Sequence, residues 1–354
     1  MAVNLTTTYS PLIAERFKLQ SFTDNYAGKK YTFDGSKSIV VYSVNKATLE
    51  NYSRLNNPYV AGSRFGTIAE LGDTTQTLQM TQDKSFTFSI DGGNNADQLN
   101  IKQCNEQLKS NWDEVCTPVI DMYRLNAWAN GAGCGAAGAA LTTSTAMTKI
   151  MTASAALSNR LVPKKNRVLL ISESAYITCK LSTELVGIPN MGQASIANGK
   201  VGTIDGMDVI TVPDSYFPAG VYFIIKFIDA TADPLKLKVL RVQKNPLGID
   251  GDVGECRFYH DSFVLDAKVN GIYVYGAGTG MLDMPAFSGT SSVTITCANA
   301  TTIKYTTDGS NPKTSATAAT YSSAVAVSAG QTLKACGSAA GYVNSPIQEF
   351  TRTA

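Results

Sequence analysis

Apolar residues recur in three rhythms along this chain of 354 residues. Between Ser38 and Ile90 they alternate with polar ones, which predicts strands at Ser38–Val44, Thr77–Thr81 and Ser85–Ile90. In the last of these Phe86, Phe88 and Ile90 alternate with Ser and Thr, so one face is polar. A two-stranded excursion this thin cannot cover its own apolar face, and a neighbouring subunit is the expected cover. From 96 to 130 the spacing turns to three and four residues, which predicts a helix. Its stripe holds Ile101, Cys104, Leu108, Val115, Val119, Met122 and Leu125, with Trp112 one position off it. Asp97 suits the positive first turn, and Pro118 removes a ladder donor, so a kink or break is expected there. Beyond Pro285 short alternating runs return, at Ser292–Thr296, Thr302–Thr306, Ala324–Val327 and Thr332–Ala335, with Tyr321 and a terminal Phe350. Their regular spacing and scarcity of charge describe a small β-sandwich of roughly immunoglobulin size.

The remaining segments fill in around these. Residues 1–36 read as an arm, in which Ser10 caps a short helix with Pro11 at its first position and Leu12, Ile13 and Phe17 on one side. Gly131–Ala140 reads as a low-complexity linker, followed by a helix from Thr142 to Asn159, a strand at Arg167–Ile171 and a helix from Glu173 to Leu185. Two apolar runs, Val201–Ile204 and Met207–Val212, flank Asp205-Gly206, a strong hairpin signal because tight two-residue turns need positive φ. Strands are expected at Val221–Phe227, Leu235–Val242, Phe263–Lys268 and Gly271–Tyr275, with Asp250–Gly254 as a loop. Composition shifts at Gly276–Gly280.

Composition narrows the function classes. Apolar residues make up 44% and charged residues only 16%, low for a cytosolic enzyme, and Thr, Ser, Ala and Gly fill the difference. The net charge is +2, split evenly between residues 281–354 and the rest, so neither part has the surplus of a tight phosphate binder. The seven cysteines (104, 116, 134, 179, 256, 297 and 336) are scattered and form no C-x-x-C pair. That favours reduced thiols over a disulfide framework or zinc site, with a bridge between Cys297 and Cys336 left open. The N-terminus has no basic and apolar leader pattern, and no run approaches a membrane span, so export by a standard signal and membrane insertion are not expected.

Candidate chemistry is sparse. Gly133-Cys-Gly-Ala-Ala-Gly138 fits G-x-G-x-x-G by count, but it follows a helix rather than a strand, and no acid comes before Glu173. His260 is the sole histidine, which excludes His-pair metal sites, and no G-x-S-x-G accompanies it, so a packing role is expected. Asp250, Asp252 and Glu255 lack the full alternation of a calcium loop and read as a turn. The sequons at Asn4, Asn51 and Asn299 are idle without export, and Trp112 and Trp128 read as packing anchors. No cofactor, metal or catalytic site is expected.

The order of elements carries more. Arm, long β-loop, long helix, linker, α/β domain and closing strands, over about residues 8–280, resemble the Hong Kong 97-like fold of tailed-phage major capsid proteins. Pro11–Phe17 and Ser38–Arg54 look like the arm and outgoing E-loop of that family, and Thr81–Asp91 like the returning strand. Pro118-Val-Ile-Asp-Met-Tyr-Arg124 looks like the family's Pro-x-x-Asp-x-Tyr-Arg late in its spine helix, and the Gly199 hairpin matches its Gly-x-x-Gly-x-x-x-Gly. Gly92–Asn95 departs from the acids that usually continue the returning strand, and no charged coiled-coil extension precedes the arm. The tail, with Ile303–Pro312, Leu333–Ala335 and Gly341–Ser345, resembles the small sandwich appended to bacterial chitobiases.

The resemblance implies an α+β chain: arm (1–36), E-loop (37–95), spine helix and linker of the P-domain (96–141), A-domain (142–248), closing P-domain strands (249–280) and an immunoglobulin-like surface domain (281–354). It implies a structural protein that assembles as hexamers and pentamers into an icosahedral shell around DNA contacted without sequence specificity, with portal and minor capsid proteins as partners and with scaffolding, if needed, from a separate protein or an already removed segment. Its expected location is the virion, assembled in the host cytoplasm. The candidate assembly residues are Ile39, Val41, Tyr52, Arg54, Phe86, Phe88, Trp112, Pro118, Asp121, Tyr123, Asp205 and Gly206. A bacterial surface or adhesion protein is the alternative, and it would require an export signal or anchor. A carbohydrate-active enzyme would require a carboxylate pair that the spacing does not offer.

Overall fold

The computed structural model describes residues 20–98, 102–182 and 200–353, apart from 32, 34, 35, 45, 48, 53, 55–63, 67 and 69 within the first stretch. The expected arm helix at 10–17, Ile101 and the region from Leu185 to Gly199 lie outside the described residues. The chain divides into two units, Phe33–Met80 and the remainder.

In the smaller unit β1 (Ser38–Val44) pairs antiparallel with β2 (Asp73–Gln79), from Ser38 opposite Gln79 to Val44 opposite Asp73. Both faces of β1 carry apolar side chains. Ile39 and Val41 are half-buried, while Val40, Tyr42 and Val44 are exposed, Tyr42 to 67%. A two-stranded ribbon has no second layer with which to cover that surface.

In the larger unit β3 (Gln82–Asp91) joins a sheet with strands from the far end of the chain. Asp91 then caps α1 (Gly92–Asp97) through the Asn94 amide at 2.9 Å. Gly92–Asn95 is therefore the first turn of a helix rather than an interruption, and Asp97 ends that helix instead of opening one. The helical run continues as α2 (Cys104–Asn111), a π-turn (Trp112–Cys116) and α3 (Thr117–Gly131).

The expected Gly131–Ala140 linker is a strand, β4 (Cys134–Gly138), at one edge of a six-stranded sheet. After α4 (Ala146–Asn159) come β5 (Arg167–Ser172), α5 (Glu173–Lys180), β6 (Lys200–Ile204), β7 (Met207–Val212), β8 (Val221–Phe227), β9 (Thr231–Ala232), β10 (Leu235–Lys244), β11 (Gly251–His260), β12 (Phe263–Val264) and β13 (Ile272–Ala277). The expected loop at Asp250–Gly254 is mostly strand, and the expected strand at Phe263–Lys268 shortens to β12 before a 3₁₀ stretch. The six-stranded sheet runs β4-β13-β8-β5-β7-β6 and is mixed, with β4 and β13 parallel, β5 and β7 parallel, and the other pairs antiparallel. One face packs on Leu125, Trp128 and Ala129 of α3, the other on Ile150, Ala153 and Leu157 of α4 and Ala175 and Cys179 of α5. Covered on both sides, β5 needs no alternation, and Val168-Leu-Leu-Ile171 is apolar throughout.

A three-stranded antiparallel sheet, β10-β11-β3, lies beneath the helical run. Phe86, Phe88, Cys256, Phe258 and Val242 pack there against Leu108, Trp112, Cys116 and Ile120. The apolar face of β3 thus meets a helix of its own chain.

The terminal region forms two sheets. The first is β14-β15-β18 (Ala286–Ser288, Ser292–Thr296 and Val325–Ala326), and the second is β17-β16-β19-β20 (Ala319–Thr320, Thr302–Thr306, Thr332–Ser338 and Gln348–Thr351). Val293, Ile295, Val325, Val327, Leu333 and Ala335 fill the space between them.

Candidate assembly surface and the junction beneath it

One line of buried positions along the helical run falls at 104, 108, 112, 116, 120, 124 and 128, each four residues after the last, and α3 buries Asp121, Leu125 and Ala129 beside it. A four-residue repeat lags a turn of about 3.6 residues, and the wider π-turn in the middle takes up the lag. There Thr117 N–H donates to Trp112 O, five residues back. Pro118 follows in the first turn of α3, where its missing donor is tolerated, so the expected break is a π-turn just ahead of the proline. The extra residue also corrects the expected stripe. Cys104 and Leu108 are buried as expected, and Trp112 belongs to the buried line. Val115, Val119 and Met122 are turned outward, 53%, 37% and 36% exposed, as an apolar line on the outer face.

The Pro-x-x-Asp-x-Tyr-Arg string places its polar residues on the inner side. Asp121, 1% exposed, accepts from Ser21 Oγ (2.7 Å), Phe22 N (2.9 Å) and Thr23 Oγ1 (2.5 Å). Arg124 donates to Thr23 Oγ1 at 3.1 Å and to Asp24 Oδ1 at 3.4 Å. Tyr123 Oη donates to Asp261 Oδ1 at 2.7 Å, and Asp261 Oδ2 accepts from the amide and hydroxyl of Thr81. Burial and then the Asp261 hydrogen bond push the Tyr123 phenol up to about 12. Three neighbouring side chains of one helix therefore hold the segment at 21–24 and the start of the strand at 81–91.

One turn further on lies a network that sequence reasoning missed. Asp233 is fully buried and accepts from Trp128 Nε1 (2.9 Å), Gly28 N (2.8 Å), Ser262 Oγ (2.5 Å), Thr231 Oγ1 (2.5 Å) and Lys226 Nζ (3.4 Å). Lys226 also donates to Tyr26 O at 2.8 Å and lies 3.5 Å from the Trp128 ring centroid. Burial opposes ionisation of Asp233, but Lys226, Arg124 and the hydroxyls of Ser262 and Thr231 outweigh it and hold the carboxyl below its ordinary range. Burial lowers Lys226 to about 8, which leaves it charged at neutral pH. The available signal was Lys226 itself, a cation inside the apolar run Val221–Phe227, since a buried charge needs a buried partner.

The other candidates are spread out. Tyr52 and Arg54 are exposed, and Tyr52 meets Phe65 edge-on at 5.1 Å. Asp205 and Gly206 form the turn between β6 and β7 with φ of 49° and 77°. Asp205 also accepts from Ser154 Oγ (2.6 Å) and Lys164 Nζ (2.9 Å), which hold its carboxyl below the usual range and fix the hairpin to α4. His260, 1% exposed, stacks on Phe258 at 5.5 Å and meets Tyr123 edge-on at 5.2 Å, the packing role expected of it. Glu255 pairs with Arg241 across strands. Among the described residues no group of three or more His, Cys, Asp or Glu could hold a metal ion, and no helix is long and apolar enough to cross a membrane. The cysteines described are free thiols.

A family model described as Fn3 associated matches residues 293–351, within the terminal sandwich. No curated protein matches the chain by sequence. Solved structures are similar in fold. One from Mycobacterium phage Che8 has a TM-score of 0.62 at 15% identity, covering 77% of this chain and 96% of that one. One from the capsid structure of the cyanophage P-SCSP1u has a TM-score of 0.60 at 12% identity, covering 77% and 92%. One from the asymmetric unit of the bacteriophage PhiM1 mature capsid has a TM-score of 0.56 at 10% identity, covering 78% and 92%. The chain shares a mixed α and β fold with chains of phage capsid structures.

Proposed function

We propose that this chain is the major capsid protein of a tailed double-stranded DNA phage, of the Hong Kong 97-like kind. In this reading it self-assembles as hexamers and pentamers into an icosahedral shell, with scaffolding, portal and minor capsid proteins as partners. The observation that carries the reading is the likeness in fold to phage capsid structures over nearly their whole length.

The surface chemistry supports it. The ribbon of β1 and β2 exposes Val40, Tyr42 and Val44, and the outer face of α3 and its π-turn exposes Val115, Val119 and Met122. Covering them with sister copies removes apolar area from water, at about 25 cal/mol per Å². Each contact can be weak, because every subunit makes several at once. In this reading Ile39, Val41, Tyr52 and Arg54 belong to the contact made by the ribbon. Trp112, Asp121 and Tyr123 act indirectly, by fixing the helix that presents the outer line, and the 205–206 hairpin belongs to loops meeting at the capsomer axis. A chain with a net charge of only +2 suits a container for densely packed DNA, and in this reading the terminal sandwich is the exposed decoration domain.

Electron microscopy of the purified chain, alone and with the neighbouring gene products, tests the proposal. Closed, uniform shells are the expected result. A monodisperse monomer under every assembly condition tried would remove it.

A further inference from the structure

The terminal sandwich does not hang from the body by a free tether. Lys313, in the loop between β16 and β17, places Nζ 2.7 Å from Asn130 O and 2.8 Å from Ala132 O, at the C-terminal end of α3. A helix leaves its last carbonyls unpartnered and carries partial negative charge there, so a cation is the group that suits the position. The loop is itself held in place, because Asn311 Nδ2 and Thr314 Oγ1 donate to Asp266 Oδ1 at 2.6 and 2.7 Å.

A second line of contacts runs beside it. Asn344 N donates to Asn130 Oδ1 (3.0 Å) and Ile347 N to Gly133 O (3.1 Å), while Val343 N and Leu282 N close a pair of bonds with Gly280 and Val343. On β4, Ala137 N reaches the Asp283 carboxylate at 3.3 Å, and a Cβ at Gly135 would come within 2.8 Å of Pro346. β4 has a strand partner on one side only, so residues 283 and 343–347 occupy what would otherwise be an open sheet edge. Val343 and Met281 are buried in the core beneath the six-stranded sheet, and Ile347 and Cys336 pack on Val269.

We propose that the terminal sandwich is a clasp as well as a surface domain: Lys313 closes the end of the long helix while residues 343–347 seal the β4 edge, so the body depends on the sandwich for its own fold. The small residues of β4 fit this role, since Gly and Ala are poor strand formers that need a neighbour on each side. The inference does not depend on the proposed shell, because it concerns one chain and is read on unassembled protein.

The test is residue-resolved hydrogen exchange on full-length chains carrying Lys313→Met, or Asn311→Ala with Thr314→Ala. The expected result is at least tenfold faster exchange at the Asn344 and Ile347 amides in both variants, with amides of the β16–β19 ladder unchanged. Exchange at Asn344 and Ile347 within twofold of the parent overturns the clasp. So does equal loosening of the ladder, which would place the defect inside the sandwich. Amides of β4 in the same full-length variants give the independent check: the clasp requires faster exchange there too, and exchange within twofold of the parent contradicts it.

Discussion

Replacing His260 with Phe should stabilise the subunit far more in acid than at neutral pH. The imidazole is 1% exposed, and neither ring nitrogen has a hydrogen-bond partner among the described residues. A buried unpaired polar atom costs about 1–3 kcal/mol. Burial first, then Arg124 and Lys84, push the ring from 6.5 down to about 4, against the opposing pull of Asp261. Because the folded value is depressed, the ring makes no pH-dependent contribution above about pH 6.5. Between 6.5 and 4 the unfolded chain takes up a proton that the folded chain refuses, so stability falls as pH falls. The loss is complete below about pH 4 and amounts to roughly 3 kcal/mol, at about 1.4 kcal/mol per pH unit. Phe fills a similar slot between Phe258 and Tyr123 without a proton to gain, and its extra volume costs about 1 kcal/mol or more. At pH 7.5 the variant should lie between unchanged and about 2 kcal/mol more stable. By pH 4.5 its advantage should grow by about 2–3 kcal/mol. Urea unfolding of unassembled subunits across that range measures both values. An advantage that stays constant from pH 7.5 to 4.5 would mean that the buried ring takes up its proton as readily as the unfolded chain does.

Three further outcomes follow from the junction and the helix. Asp233→Ala leaves Lys226 buried without its carboxylate and should cost about 3–5 kcal/mol, read as a lowered urea midpoint; a change under 1 kcal/mol would mean that water enters the site. Asp121→Ala frees Ser21, Phe22 and Thr23, so residues 20–26 should become open to limited proteolysis while the six-stranded sheet keeps its exchange protection; unchanged cleavage there would show that Arg124 alone holds the segment. In the proposed shell the π-turn ahead of Pro118 is the place for this helix to bend as the shell matures, so Pro118→Ala, which restores a donor there, should alter the passage from initial to mature shells; normal shells at both stages would reject that bend.

The parts of the fold written in local chemistry were legible. β8 and the sandwich strands Ser292–Thr296 and Thr302–Thr306 coincide with their expected bounds, because apolar runs and alternation mark buried strands directly. The Asp205-Gly206 turn was legible for the same reason, as the residue types report the backbone conformation. β4 was not, because Cys134-Gly-Ala-Ala-Gly138 has no strand preference of its own and becomes a strand between β13 and the residues that follow Gly280. The start of β11 reads as a turn from Asp250 to Gly254, yet β10 and β3 on either side hold it extended. The helical stripe failed between Leu108 and Leu125, which is buried as expected, since a π-turn leaves no mark in a count that assumes an unbroken helix. At the junction the motif singles out Asp121 and Tyr123 but not their partners within the chain, and Asp233 was missed because its partners come from Gly28, Trp128, Lys226 and Ser262.

In the proposed shell, sister copies cover the apolar surfaces this subunit leaves open. Hydroxyl-radical footprinting of assembled and dissociated protein measures that cover residue by residue at Tyr42 and Val44 on the ribbon and at Val115, Val119 and Met122 on the helix. Strong protection of both groups in the assembled form alone is expected. Equal labelling in the two forms would mean that sister copies do not cover these surfaces.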